Sequence, residues 1–221
     1  MRLLDLYCGA GGAAMGYHQA GFDQIIGVDL KPQKNYPFDF IQADALSYLA
    51  VHGGDYDFIH ASPPCQGYTI LGHLALARGV SLAKRYPEII PDLREALEET
   101  DSPYVIENVP RSPLVNPFLL CGVTFGLRVL RHRAFESSQF ILAPTHSKHR
   151  GTIFDRDYVG VYGTGSFTSK DGKSGWSYRS LQECSEAMGI NWMTRREITQ
   201  AVPPAYTRWI GEQIIRMEDR A

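Results

Sequence analysis

Four cysteines in 221 residues, at Cys8, Cys65, Cys121 and Cys184, are too few and too scattered for a disulfide framework. None belongs to a Cys-x-x-Cys pair and none stands at metal-binding spacing from a histidine. Free thiols in a reducing cytoplasm are expected, with no metal. No apolar run approaches the roughly 18 residues that span a bilayer, so no membrane segment is expected. The first residues enter an apolar strand at once, without the basic-then-apolar pattern of a leader. A surplus of charge is also missing. Lys and Arg number 22 against 24 Asp and Glu, a net charge of −2, which excludes a bulk polyanion binder. Neither an internal repeat nor a low-complexity tract is present. What remains is an ordinary globular composition, 44% hydrophobic and 21% charged. It is enough for one unit over residues 1–221 to bury a core.

Apolar runs bounded by turn residues predict strands at Leu3–Tyr7, Ile25–Asp29, Phe38–Ala43, Tyr56–Ala61 and Tyr104–Asn108. Helical patterns fall at Ala13–Ala20, Ala45–His52, Pro87–Glu99, Leu181–Met188 and Tyr206–Met217. The alternation implies an α/β fold, with a mainly parallel sheet and helices on both faces. Gly67 to Tyr86 carries three glycines and few apolar anchors and reads as a loop or lid. Asp155 to Trp176 is rich in Gly, Ser and Thr, with Tyr158–Tyr162 inside it as an edge strand.

Chemistry concentrates in three places. The run from Tyr56 to Ala61 stops at Ser62-Pro63-Pro64-Cys65-Gln66, where two prolines end strand pairing and present a cysteine at a strand's carboxyl edge. In an open α/β sheet that edge is where ligands bind. Cys65 is either a nucleophile or a structural thiol there. The second place is Leu3-to-Tyr7 followed by Cys8-Gly9-Ala10-Gly11-Gly12, a strand, a glycine turn and a helix, which lets a backbone approach a nucleotide-like ligand. The third is a pair of acids, Asp29 and Asp44. Asp29 ends the second strand, where it can accept from both ribose hydroxyls. Asp44 follows Phe38–Ala43, placed for an adenine amino group or as a helix N-cap before Ala45. Gly9-x-Gly11-x-x-Ala14 also fits a dinucleotide fingerprint, so a nicotinamide-dependent oxidoreductase stays open.

Together these stretches resemble the cytosine-C5 DNA methyltransferase family, and most of all its small phage-type members. Asp5-Leu6-Tyr7-Cys8-Gly9-Ala10-Gly11-Gly12 is similar to the family's S-adenosylmethionine loop and Gly27-Val28-Asp29 to its ribose-binding strand end. Pro64-Cys65-Gln66 resembles the nucleophile loop, Glu107-Asn108-Val109 the glutamate motif and Arg131-His132-Arg133 the paired arginines. Ala201-Val202-Pro203-Pro204 resembles the last motif. The order is the family's and covers nearly the whole chain. Tyr7 stands where Phe is usual, Asp29 where Glu is common, Val129 where Gln opens the arginine motif, and Thr199-Gln200 where Gly-Asn is usual. The region between the arginines and the last motif, about 137–179, is short for target recognition. Residues of about 194–221 are expected to pack back on the cofactor part.

The resemblance implies a Rossmann-like methyltransferase fold and a catalytic set of Cys65, Glu107, Arg131 and Arg133. It implies S-adenosylmethionine held by Tyr7, Gly9, Ala10, Gly11, Gly12, Asp29, Leu30, Asp44, Ala45 and Pro64. A Cys65 thiolate would add to C6 of cytosine, Glu107 would act at N3, and Arg131 or Arg133 would hold O2 and help lower the thiol's pKa. DNA is the implied substrate, with the base flipped or single-stranded. The same chemistry on transfer RNA is the alternative. So short a recognition region implies a short target, an oligomer or an accessory partner. Phosphate contacts are expected from His73, Arg78, Lys84 and Arg85, and from Arg128 to Arg133 with His146, Lys148, His149 and Arg150. Cys121 reads as a core residue and Cys8 as a small packing residue.

Overall fold

The computed structural model of the chain describes residues 1–65, 68, 88–146, 148–153, 157–161, 167–168, 175–176 and 180–219. The loop or lid expected over Gly67 to Tyr86 lies outside the described residues, apart from Tyr68. So do His73, Arg78, Lys84 and Arg85, and most of Asp155 to Trp176.

Five parallel strands carry the fold: β1 (Arg2–Leu6), β2 (Gln24–Asp29), β3 (Asp39–Gln42), β4 (Phe58–Ala61) and β5 (Tyr104–Asn108). With β6 (Phe118–Leu120) and β7 (Arg133–Ser137) they form a sheet of order β3-β2-β1-β4-β5-β7-β6. Of these seven strands β7 alone runs antiparallel to the rest. The chain leaves β1 toward β2 on one side and later returns to lay β4 on the other. Loops after β1 and β4 therefore part in opposite directions and open a crevice at the carboxyl edge, the topological switch point.

Side chains of successive strand residues face opposite sides of the sheet. Leu3, Ile25, Phe58, Val105 and Phe135 pack on one face, under α1 (Gly12–Ala20) and α6 (Pro204–Glu218). Leu4, Leu6, Val28, Ile59 and Ile106 pack on the other, under α2 (Ala45–His52) and α3 (Ile90–Glu98). Burial on both faces is why β1, β4 and β5 read as continuous apolar runs. α1 and α6 lie unusually close. A Cβ at Gly16 would come within 2.0 Å of Thr207 Oγ1 and 2.1 Å of the Pro204 carbonyl, so nothing larger than glycine fits. The Thr207 hydroxyl donates to the Ala13 carbonyl at 2.8 Å across this contact. The C-terminal helix thereby seats against the helix that follows the glycine turn.

α4 (Leu181–Met188) and α5 (Arg195–Ile198) both open on capping boxes, Ser180 with Glu183 and Thr194 with Glu197. Two short strands, β8 (Phe167–Thr168) and β9 (Gly175–Trp176), pair antiparallel as a separate ribbon. The edge strand expected at Tyr158–Tyr162 is not formed over its described part. Val159 and Val161 are instead buried, with the Val159 N–H donating to the Arg128 carbonyl at 2.7 Å. Among the described residues no helix is long and apolar enough to cross a membrane.

Candidate active site

The turn after β1 is built from left-handed backbone. Tyr7 (φ 56°), Gly9 (φ 50°) and Gly11 (φ 79°) all sit there, and Tyr7 does so with a full side chain. The turn runs back beside β2, the Cys8 N–H donating to the Val28 carbonyl at 3.2 Å. A Cβ at Gly9 would meet no atom within 4 Å, so open space lies over the turn. Gly12 is the opposite case. Its Cβ would approach the Val202 carbonyl to 2.4 Å, so the last motif presses directly on the start of α1. No side chain caps that helix start, which leaves its first amides directed at the turn.

Asp29 closes the turn at the end of β2. One carboxylate oxygen accepts from the Gly9 N–H at 3.2 Å and the other from the Lys31 N–H at 3.0 Å. Each oxygen retains a further lone pair. Leu30 stands beside it with 66% of its surface exposed, an apolar face at a polar strand end. Asp44 takes the N-cap alternative. Its Oδ1 accepts from the Ser47 N–H and hydroxyl, both at 2.9 Å, and Ala45 is buried as the first residue of α2.

At the end of β4, Ser62 donates its N–H to the Leu6 carbonyl at 3.1 Å, and Pro63, Pro64 and Cys65 follow. Asn108, at the end of β5 and fully buried, pins this loop. Its Nδ2 donates to the Pro63 carbonyl at 2.9 Å and its Oδ1 accepts the Val109 N–H at 2.9 Å. Glu107 precedes it and pairs across the sheet with Phe135 of β7. Arg133, two residues before Phe135, shares that face, and its Nε lies 2.8 Å from Glu107 Oε1. The N–H is not aimed along the contact, and Oε1 remains buried without a hydrogen bond.

Arg131 is buried more deeply and does different work. Its two terminal nitrogens donate to the Val161 carbonyl at 2.7 Å and the Thr199 carbonyl at 2.9 Å, while its Nε has no partner. Arg131 is therefore no surface ion-pair residue. Behind the site runs a buried chain of polar groups. The Tyr17 hydroxyl meets His60 Nδ1 at 3.1 Å and His60 Nε2 meets the Ser62 hydroxyl at 2.9 Å. The Ser62 side chain in turn favours the charged form of the Glu107 carboxyl.

Burial dominates the electrostatics. It raises the Glu107 carboxyl, opposed by Arg133, Arg131 and the Ser62 side chain. It also raises the Cys65 thiol, with Arg133 pulling down, Glu107 pushing up and Arg131 pulling down. The expected downward pull of the arginines on this thiol is present, but desolvation outweighs it and the resting group is the thiol. His60 is held neutral by burial, its pKa lowered to about 3. Arg131 falls to about 9 for the same reason and stays charged at neutral pH.

The carboxyl edge thus gathers all fourteen sequence-predicted residues. Tyr7 to Gly12 follow β1, Asp29 and Leu30 stand at the end of β2, and Asp44 and Ala45 at the start of α2 after β3. Pro64 and Cys65 follow β4, Glu107 ends β5, and Arg131 and Arg133 lead into the antiparallel β7. Sequence reasoning missed Asn108 as the pin of the cysteine loop, Ser62 and His60 behind Glu107, and Trp192. The Trp192 indole N–H donates to the Ala10 carbonyl at 2.8 Å, tying residues 188–193 to the glycine turn. The two prolines were the available signal for Asn108, because a Pro-Pro carbonyl at a strand end needs a donor from somewhere.

The model of the C-5 cytosine-specific DNA methylase family matches residues 1–114. Type II methyltransferase M.XorII of Xanthomonas oryzae pv. oryzae is 29% identical over 148 residues, 60% of this chain and 30% of that protein. Type II methyltransferase M.AgeI of Thalassovita gelatinovora is 31% identical over 87 residues, 33% of this chain and 20% of that protein. The matched part of this chain thus spans less than a third of either relative. Among solved structures, S. pombe Dnmt2 methyltransferase superposes with a TM-score of 0.64 at 13% identity, covering 99% of both chains. A protein described as a DNA modification methyltransferase encoded within an E. coli prophage does so with 0.62 at 15% identity, again over 99% of both. At these identities the likeness is one of fold.

Proposed function

We propose, from the premise that this chain belongs to the C-5 cytosine-specific DNA methylase family, that it methylates C5 of cytosine in DNA with Cys65 as the nucleophile. The observation that carries the proposal is the convergence on one sheet edge of a half-buried thiol, a buried carboxyl with an unbonded oxygen, and two arginines.

S-adenosylmethionine fits the crevice beside this edge. The open space over Gly9, the uncapped start of α1 and the remaining lone pairs of Asp29 match an adenosine ribose and an amino-acid carboxylate. Tyr7 and Leu30 offer apolar faces to the adenine, and Asp44 and Ala45 border it. The bound cofactor supplies an electrophilic methyl group. Everything else falls to the chain's own residues and the base.

Cytosine C5 is a weak nucleophile, and addition at C6 changes that. The Cys65 thiol gives up its proton to solvent, and the thiolate forms a bond to C6 while the ring's 5,6 π pair moves to make C5 electron-rich. Charge accumulates toward N3. Glu107, whose carboxyl pKa burial raises, donates there in its protonated form and accepts from the exocyclic amine. Ser62, oriented by His60, favours the carboxyl's charged form. Arg133 lies against Glu107 and faces the developing charge. Arg131 clamps Val161 and Thr199 so that the arginine strand keeps its place. After methylation the C5 proton leaves, the 5,6 double bond returns and Cys65 departs as thiolate. A base in a duplex does not expose C6, so the target is flipped or single-stranded. Residues of about 137–179 serve as a short recognition region and about 194–221 as the segment that closes the cofactor crevice.

Transfer of a radiolabelled methyl group to matched DNA and RNA tests the assignment. Label in DNA cytosine alone is the expected result. Label in RNA alone would move the chain to RNA with the chemistry intact, and label in neither would remove the activity.

A further inference from the structure

One group of side chains has no part in the reaction above and is too ordered to be incidental. Cys121, His132, His146 and His149 each offer one ligand atom, and all four atoms lie within 4.8 Å of one another. His132 Nε2 is 3.1 Å from His146 Nε2, and Cys121 Sγ is 3.3 Å from His149 Nε2. The three imidazole rings form a near-equilateral triangle, with centroids 5.2, 5.0 and 5.0 Å apart. We propose that these four side chains form a tetrahedral zinc site.

The distances favour that reading over a chance cluster. Zinc bonds to imidazole at about 2.0–2.1 Å and to thiolate at about 2.3 Å, so the edges of a tetrahedron with one thiolate and three imidazoles are about 3.3–3.6 Å. Both short contacts lie near that value, and closure of the remaining edges requires only small rotations of side chains. Two separate hydrogen bonds would explain the two contacts. They would not explain why a third ring closes the triangle. One thiolate with three neutral imidazoles is a borderline-soft donor set that suits zinc and excludes magnesium or calcium. All four positions come from protein, which is the pattern of a structural rather than a catalytic site. Binding displaces the Cys121 thiol proton to solvent.

The topology gives the site a purpose. β6 and β7 pair with Leu120 opposite Arg133, so Cys121 and His132 lie side by side just past the paired ends. His146 and His149 arrive from the chain that follows β7. A zinc ion would clip the strand ends that carry Arg131 and Arg133 to the start of the recognition region. This position also reassigns His146 and His149, expected from sequence to approach phosphates, while Arg128, Lys148 and Arg150 remain exposed for that role. The spacing gives no warning because the four residues stand just after β6, just before β7 and in the chain that follows β7, and meet only in the folded sheet.

The test uses the untagged full chain, stripped of metal and titrated with Co²⁺ and then Zn²⁺. One Co²⁺ per chain should bind, with the intense visible bands of a tetrahedral site and a thiolate charge-transfer band in the near ultraviolet. Zn²⁺ should displace it and raise the thermal midpoint. Cys121→Ser should lose the charge-transfer band. His146 is exposed and its replacement leaves the core intact, so His146→Ala should fold normally yet bind at least about 100-fold more weakly, since outer-shell changes alone cost 10–100-fold. Weak octahedral Co²⁺ spectra in the wild type, or equal affinity in His146→Ala, would overturn the site. These readouts do not depend on methyl transfer.

Discussion

Asn108→Ala separates the positioning of the nucleophile loop from its chemistry. The asparagine is fully buried and makes two hydrogen bonds, to the Pro63 carbonyl and from the Val109 N–H, each 2.9 Å long. Alanine leaves both groups without their partner. The Pro63 carbonyl belongs to a buried residue, and an orphaned buried acceptor costs about 1–3 kcal/mol. The Val109 N–H is only half-buried and recovers part of its loss from water. The expected destabilisation is about 2–4 kcal/mol, a large share of the roughly 5–15 kcal/mol that holds a domain folded. Cys65 lies two residues beyond the freed carbonyl. A displacement of about 1 Å there should lower kcat by about 100-fold. The glycine turn after β1 and Asp29 at the end of β2 do not touch Asn108, so cofactor affinity should change little. Asn108→Asp is the informative partner variant. It keeps the acceptor for Val109 but sets an oxygen against the Pro63 carbonyl, and should be at least as impaired as alanine in kcat. Urea unfolding, calorimetric cofactor titration and steady-state rates measure the three quantities. Full stability and wild-type kcat in Asn108→Ala would refute the pinning role. Loss of cofactor binding in a folded variant would show that the loop and the crevice are not separable.

Cys65→Ala should abolish turnover and leave cofactor affinity within a few-fold, as read by calorimetry. More than a few per cent of residual rate would remove Cys65 from the mechanism. Asp29→Ala should weaken S-adenosylmethionine by about 1.5–3 kcal/mol through lost charge-assisted hydrogen bonds, and unchanged affinity would place the ribose elsewhere. Burial raises the Asp5 carboxyl to about 8, opposed by the Tyr36 hydroxyl and assisted by Asp29. The folded state therefore holds a proton that the unfolded chain releases near pH 4, and stability falls as pH rises from about 4 to about 8. The stability of Asp5→Asn relative to wild type should increase across that window. A difference independent of pH in urea midpoints contradicts the shift.

Much of this edge is legible in the sequence because β1, β2, β4 and β5 are parallel and buried on both faces. They appear as short apolar runs, each punctuated by the turn that holds a functional group. β6 and β7 are not legible in the same way. Arg133-Ala-Phe-Glu-Ser has no apolar run, and Glu136 can be buried only because Arg94 from α3 meets it with Nε at 2.5 Å and a terminal nitrogen at 2.7 Å. Val159 and Val161 look like a strand because β-branched and aromatic residues crowd Tyr158–Tyr162, but their burial comes from packing with Met188 and Ile190, and an Arg131 side chain takes the Val161 carbonyl. The division of labour between Arg131 and Arg133 is likewise invisible in Arg-His-Arg. It depends on which arginine begins the paired strand opposite Glu107. The state of Cys65 is a property of its surroundings, and spacing carries no information about desolvation.

The covalent role of Cys65 is open to direct capture. Fluorine at C5 cannot leave as a cation, so a 5-fluorocytosine target should stall the enzyme after methyl transfer with Cys65 still bonded to C6. Incubation of the protein with S-adenosylmethionine and 5-fluorocytosine DNA should give a complex that survives denaturant, and Cys65→Ala should give none. Methylation of ordinary DNA without any trapped complex on the fluorinated target would contradict the account.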